Sequence, residues 1–499
     1  MTISLSDTEV RILVCGFSLF VLLVAYVSKS RRFELAALGF VSAIGILAFF
    51  NFGLQFHQWS DGFVNRWELY HYQLGSKYFP ELGYDGLYSA SIQAQRESAP
   101  EMPLGWVRDL DTNTLVSFEA HQPKIEEVRE RFTDARWQEF VIDHHAYIES
   151  TEQRFWDAIR QDHGYNPTPA WTFFARLFDA NIGSSPAALG FLASLDIILM
   201  VAMFVIVYQT YGFAAACLGI AIAGFGFGWR YLYIGSLLRL DWLAMTVIGI
   251  CMLKRERFVT AGACIGYAAA VRVFPVLFLL GPGVLALRSW YAGERPVWPW
   301  RIAAGFLAVI LIGFAGGSMT GRGVHAWTEF AEDIQVHQES WGTNQVGLDT
   351  LFVSGPSFLL ANQDGPTERR TRQQIANTLE EHRLGRAIAS GAMILLVILA
   401  VLRAGIADSA VLGMAAIFAL TPAASYYWIM SVVVPLRNVG WAPYGVLVLS
   451  TGMYAVAHFY PSVDYHPYLY ALFAWGNAGI LYAWLIPDAV RTIRARNAS

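Results

Sequence analysis

Charge is scarce in this chain. Of 499 residues only 15% are Asp, Glu, Lys or Arg, against about one quarter in a soluble protein, which excludes an ordinary water-soluble fold. A basic surplus is missing as well. The 35 Lys and Arg stand against 39 Asp and Glu, a formal net charge of −4, which argues against nucleic acid as a partner. Cysteine is nearly absent. The four present, Cys15, Cys217, Cys251 and Cys264, all fall inside apolar runs at no metal-like spacing, so they read as small core hydrophobes and no disulfide framework is expected. Repeats, low-complexity tracts and domain-sized linkers are missing too, so one integral-membrane domain, residues 1–499, accounts for the whole chain.

What is abundant is apolar length. Hydrophobic residues make up 55% of the chain, and runs of about 20 residues, or somewhat fewer, recur along most of it. An all-α polytopic membrane protein follows, of the kind found in a bacterial inner or plasma membrane. The first run, about 9–27, is followed at once by Lys29-Ser30-Arg31-Arg32. Its charges follow the run and it has no small-residue cleavage site, so it reads as a retained helix and not a signal peptide. Basic flanks belong on the cytoplasmic side, which puts the N-terminus outside and brings a second helix, about 35–54, back out. Further helices are expected at about 187–208, 213–229, 238–253, 258–271, 273–288, 302–318, 386–403, 408–424, 426–436, 439–458 and 466–487, about 13 in all. On this drawing Lys254-Arg255-Glu256-Arg257, Arg288 to Arg301, Arg437-Asn438 and Arg491 to Arg496 are all cytoplasmic. The pair meeting at Arg272 and the segment ending at Pro435 are too short to span alone, and such broken helices commonly line a cavity.

The exception to this apolar pattern is a long polar stretch, 55–185, which the same count places on the exoplasmic side. From Asp61 to Asp179 it holds 20 acidic and 11 basic residues, about half of the chain's carboxylates, and ionisable groups concentrated in one loop of a membrane protein point to chemistry there. A second polar loop, 320–386, faces the same compartment. Within the first, Trp67 to Phe79 carries Trp67, Tyr70, Leu74 and Tyr78 at spacings of three and four. The spacing predicts an amphipathic helix lying flat on the membrane, with Glu68 and His71 on a common face. Arg129 to Arg160 is expected to do the same, anchored by Trp137, Phe140, Val141, Ile148, Phe155 and Trp156.

Several short motifs then fall into one order. Gly83-Tyr84-Asp85-Gly86-Leu87-Tyr88 follows an early acidic residue and an aromatic run, and Tyr165-Asn166-Pro167-Thr168-Pro169 precedes the next apolar helix. Ala261-Gly262 leads to Ala270-Val271-Arg272-Val273-Phe274-Pro275-Val276-Leu277-Phe278, then come Asn344-Gln345 and Pro422 to Trp428. Over about residues 35–450 this series resembles the GT-C class of membrane glycosyltransferases, and within it glycosyltransferase family 87, which includes polyprenyl-phosphate-mannose-dependent mannosyltransferases. Arg272 stands where that family has Lys, Val346 where it has Ser, and Tyr426 or Tyr427 near the place of its His. The resemblance implies a GT-C-like fold, a polyprenyl-phosphate-sugar donor and an acid in the first exoplasmic loop.

The chemistry assigns candidates to roles. Transfer with inversion needs a base at the acceptor hydroxyl and a cation for the departing phosphate. Glu68 fits the base best, because Glu68-x-x-x-Tyr72 matches the family's acid-to-tyrosine spacing, and Asp61 is the near alternative. Asp162-His163 just before Tyr165 is similar to an Asp-x-His-Pro-Pro motif of protein mannosyltransferases, with a structural anchoring role weighed equally. Arg272, in a run apolar from Ala268 to Leu280, is the first phosphate candidate and Arg239 the second, unless Arg239 merely pairs with Asp241. His71, Tyr72, Tyr165, Asn344, Gln345 and Tyr427 complete the expected substrate contacts.

No metal site is expected from His144-His145, since adjacent helical residues point apart. No cofactor is called for with certainty, a divalent cation being the one candidate. The expected partners are the lipid donor, membrane lipids and an acceptor whose identity the residues leave open. A secondary transporter is the rival of a different class, but it should show two similar halves with paired breaks. A ligase joining a lipid-linked glycan to a polymer is the nearer rival.

Overall fold

The computed structural model describes residues 6–53, 62–228, 234–338, 344–353, 368–459 and 466–497. Among these the chain is mainly helical, with one two-stranded antiparallel sheet pairing Trp106–Asp109 with Thr114–Ser117. Seven helices are long and apolar enough to cross a membrane: Asp7–Ser28, Arg31–Phe49, Pro186–Tyr211, Phe274–Tyr291, Trp298–Ser318, Arg383–Val401 and Leu469–Ala495. Each of the 13 expected segments contains helix. Length narrows the count of unaided spans, however. Phe213–Phe225, Phe258–Arg272 and Ile406–Leu420 are shorter apolar helices, below the about 20 residues that hydrocarbon requires, and Ser425–Val433 winds as a 3-10 helix.

Local chemistry sets the boundaries. Ser6 accepts the Glu9 amide while the Glu9 carboxylate accepts the Ser6 amide at 2.7 Å, a reciprocal cap that starts the first helix. Ser185 caps the helix opened by Pro186. Gly212, at φ +86°, separates that helix from Phe213–Phe225.

The two ends of the bundle differ in charge. Arg288 donates to the Leu402 carbonyl at 2.6 Å, Arg403 to the Arg491 carbonyl at 2.8 Å, and Arg437 pairs with Asp488. Basic residues far apart in sequence thus gather at one end. The polar body, 62–185, sits at the other, where Phe173 and Pro169 press on Gly316 and Gly317 near the end of Trp298–Ser318. The positive-inside rule leads us to expect the polar-body end on the exoplasmic side, an expectation that labelling tests. In a variant lacking the four buried cysteines, a cysteine at exposed Asp134 should react with an impermeant maleimide on intact cells and one at exposed Lys254 should not. The reverse pattern would invert the topology.

Within the body, the helices expected to lie on the membrane pack on one another instead. Residues 66–77 are helical with a π-turn at Tyr70–Leu74, and Tyr70, His71, Gln73, Leu74 and Lys77 are all buried. The Arg129–Arg160 region forms Gln122–Glu130, Asp134–Glu149 and Gln153–Ile159. Trp137, Phe140, Ile148 and Trp156 from it are core residues, with edge-on rings such as Tyr70 on Trp156 at 5.2 Å. Amphipathic periodicity marks a face to be covered, and here protein covers it. Asp143 ties the body together, accepting from Lys77 at 2.7 Å, Tyr78 at 2.8 Å and the Ser184 amide at 2.8 Å.

Candidate functional site

Three segments distant in sequence converge where the polar body meets the bundle. The first is the turn 234–240. Gly235, at φ +78°, lies so close to Phe63 that a side chain there would strike the Phe63 carbonyl, and the Asn65 amide donates to the Gly235 carbonyl at 2.8 Å. That approach brings Arg239 to Glu68. Their ion pair closes at 2.8 Å with both side chains largely buried. Arg239 also donates to the Tyr72 hydroxyl and lies over the Tyr72 and Tyr426 rings at 4.6 and 5.2 Å. Asp196 holds the turn from behind, its carboxylate accepting the Arg239 and Leu240 amides at 2.9 Å each.

The second segment is the end of Phe258–Arg272. The helix stops because Val273 adopts φ +44°, a conformation costly for a β-branched residue. Leu238, just before Arg239, is also at positive φ, +46°. Strained backbone beside both arginines is the pattern found where geometry serves a site. The third segment, Thr168 and Trp171, aligns the other two. Thr168 Oγ1 donates to the Ala270 carbonyl at 2.7 Å and the Trp171 indole to the Leu238 carbonyl at 3.1 Å.

Arg272 differs from Arg239 in having little to hold. Its Nη1 reaches the neighbouring Val271 carbonyl at 3.2 Å and its guanidinium lies 6.0 Å from the Trp171 ring centre. Nε and Nη2 are buried with no hydrogen-bond partner among the described residues. Other orphans belong to the same region: Ser236 Oγ, Gln345 Oε1, Ser425 Oγ, and Glu68 Oε2, which has the Arg239 ion pair but no hydrogen bond. Buried polar groups are normally satisfied, and these atoms lie on or beside the segments that carry Glu68, Arg239, Arg272 and Tyr427. Burial pushes the Glu68 carboxyl above its usual range, opposed by Arg239, His71 and Arg272.

The other expected residues divide. Tyr427 is in the cluster, edge-on to Trp242 at 5.6 Å and to Phe274 at 4.8 Å. Gln345 bridges Ala424, and the Asn344 carbonyl accepts the Ser425 amide at 2.7 Å, so both reach the aromatic segment through backbone pairing. His71 is spoken for: its Nδ1 is 2.8 Å from the Trp67 carbonyl and its Nε2 2.8 Å from the Tyr88 hydroxyl. Asp162 accepts from the Trp67 indole at 2.7 Å and from the His163 amide at 2.9 Å, and His163 Nδ1 lies 2.9 Å from Asn113 Oδ1. Burial disfavours the Asp162 anion, but His71, His163 and these N–H donors outweigh it and hold the carboxyl below its usual range. Asp162 therefore braces the helix that carries Glu68, and His163 ties the same segment to the hairpin turn at Asn113. Tyr165 is a core residue, its hydroxyl 2.6 Å from that of Thr172. Asp241 takes the Tyr267 hydroxyl at 2.8 Å, while Arg239 pairs with Glu68. Asp61 lies outside the described residues.

Sequence reasoning missed Asp196, although a lone carboxylate inside a 26-residue apolar helix was a usable signal. The polar stretch also contains one Asp-x-Asp spacing, Asp109-Leu110-Asp111, of the kind that binds nucleotide sugars. It serves the hairpin turn instead: Asp109 accepts from Thr112 at 2.8 Å and Asp111 pairs with Lys124 at 3.0 Å. Among the described residues no three His, Cys, Asp or Glu side chains are placed to hold a metal ion. His144 is buried in an aromatic cage while His145 points outward to Glu149 at 3.1 Å.

No protein-family model, curated protein or solved structure matches this chain.

Proposed function

We propose that the protein is a membrane glycosyltransferase that moves a monosaccharide from a polyprenyl-phosphate donor to a lipid, glycan or protein acceptor on the exoplasmic face. The observation that carries this reading is Arg272, whose buried Nε and Nη2 lack partners beside a second arginine and a carboxylate of raised pKa. A guanidinium fork suits phosphate oxygens. A carboxyl whose pKa is lifted by burial suits proton uptake near neutral pH. The motif series that resembles family 87 supports the same assignment, and it includes Arg272, Gln345 and Tyr427.

In the reaction, the acceptor oxygen attacks the anomeric carbon from the face opposite the phosphate. The bond from that carbon to the phosphate oxygen breaks, and its electron pair leaves with the phosphate. Arg272 and Arg239 hold the departing charge. The acceptor's proton passes to Glu68, and the sugar changes anomeric configuration. Tyr427 and its aromatic neighbours offer ring faces to the sugar.

The choice of donor tests this reading. Purified protein given radiolabelled polyprenyl-phosphate-mannose, a panel of other polyprenyl-phosphate sugars and the matching nucleotide sugars should transfer label from a lipid donor. Transfer from nucleotide sugars alone would sink the proposal.

A further inference from the structure

We infer that the end of the bundle opposite the polar body carries a binding site for the headgroup of an anionic phospholipid. Arg288, Arg403 and Thr492, from three different parts of the chain, line one cleft of about 520 Å³ together with Leu402 and Ala495. Both arginines are exposed at this cleft, yet each is fixed. Arg288 Nη1 donates to the Leu402 carbonyl at 2.6 Å and Arg403 Nη1 to the Arg491 carbonyl at 2.8 Å. A guanidinium has five N–H donors, so each retains four for an anion. Nearby Arg437 and Arg491 both pair with Asp488, whereas Arg288 and Arg403 pair with no carboxylate among the described residues. Charges scattered only to set orientation have no need to converge from separate helices or to be braced on backbone carbonyls.

Two features favour a lipid headgroup over a soluble phosphate. Exposed apolar side chains flank the cleft in sequence: Leu287, next to Arg288, is 63% exposed, and Ile493, next to Thr492, is 47% exposed. Acyl chains can cover these, and a soluble phosphate cannot. The cleft also lies at the basic end of the bundle, where the cytoplasmic leaflet supplies anionic lipid.

Detergent-purified protein exchanged with equal amounts of phosphatidylglycerol and phosphatidylcholine, and read by native mass spectrometry, tests the site independently of the transferase reading. The wild type should retain phosphatidylglycerol selectively. R288A/R403A should lose that preference by about 10-fold or more, as removal of two surface charges implies, while R288K/R403K should keep most of it. Millimolar glycerol 3-phosphate should not displace the lipid. Equal retention of the two lipids, a preference that survives R288A/R403A, or displacement by glycerol 3-phosphate would each overturn the inference. A photoreactive phosphatidylglycerol on the wild type keeps the test valid if the alanine variant misfolds. It should label peptides containing Arg288, Arg403 or Thr492, and labelling confined to other regions would overturn the site.

Discussion

Arg272→Ala should weaken donor affinity and turnover together. A cation that grips the donor phosphate acts before the reaction and more strongly as charge develops on the leaving group, so its loss appears in both KM and kcat. Hydrogen bonds to charged groups contribute about 1.5–3 kcal/mol, which places the loss of donor affinity at roughly 10- to 100-fold. With the transition-state share added, kcat/KM should fall by about a further 100-fold. Because Arg272 forms no ion pair among the described residues, its removal breaks no salt bridge there, and the thermal midpoint should stay near that of the wild type. Arg272→Lys restores the charge without the fork and should recover only part of the affinity. Binding of a polyprenyl phosphate by tryptophan fluorescence, beside steady-state kinetics, separates the two effects. Unchanged affinity in Arg272→Ala would remove Arg272 from the donor site.

Glu68→Gln should divide those parameters differently. Glutamine keeps the size and much of the hydrogen bonding but cannot take a proton, so turnover should fall by about 100-fold or more while donor binding persists. The substitution also removes the anion that holds Arg239 at 2.8 Å. That frees Arg239 for the donor phosphate, and donor affinity should hold or rise slightly. Asp61→Asn is the control for the competing assignment. Full activity in Glu68→Gln with a dead Asp61→Asn would move the base to Asp61. Activity in Glu68→Gln, Asp61→Asn and Arg272→Ala alike would make a transporter the better account of the buried arginines.

Helix positions were legible because each apolar run carries its own boundary chemistry, such as Ser185-Pro186 before one helix and Gly212 after it. Arg272 and Arg239 were legible for a related reason, since a charge in an apolar run needs an explanation. The partnerships were not legible. Whether Arg239 turns to Asp241 two residues away or to Glu68 far along the chain is decided by the close approach of Gly235 to Phe63, a tertiary fact with no local signature. Asp162 and His163 looked reactive as a pair, and only the Trp67 indole and Asn113 show that both are engaged in bracing. The body helices carried aromatic stripes that suit a membrane surface and a protein core equally well. The short hairpin at Trp106–Ser117 left too little periodicity to be noticed.

The most direct measurement is the pH dependence of single-turnover sugar transfer from a polyprenyl-phosphate donor, compared between wild type and Glu68→Gln. A base must be ionised to act. Burial raises the Glu68 carboxyl above its usual value, so wild-type rates should be full at higher pH and fall as pH drops through a point above the ordinary glutamate range of about 4.3. Glu68→Gln should be slow at every pH and lack that acid limb. Wild-type rates in Glu68→Gln, or the same acid limb in both proteins, would contradict the account.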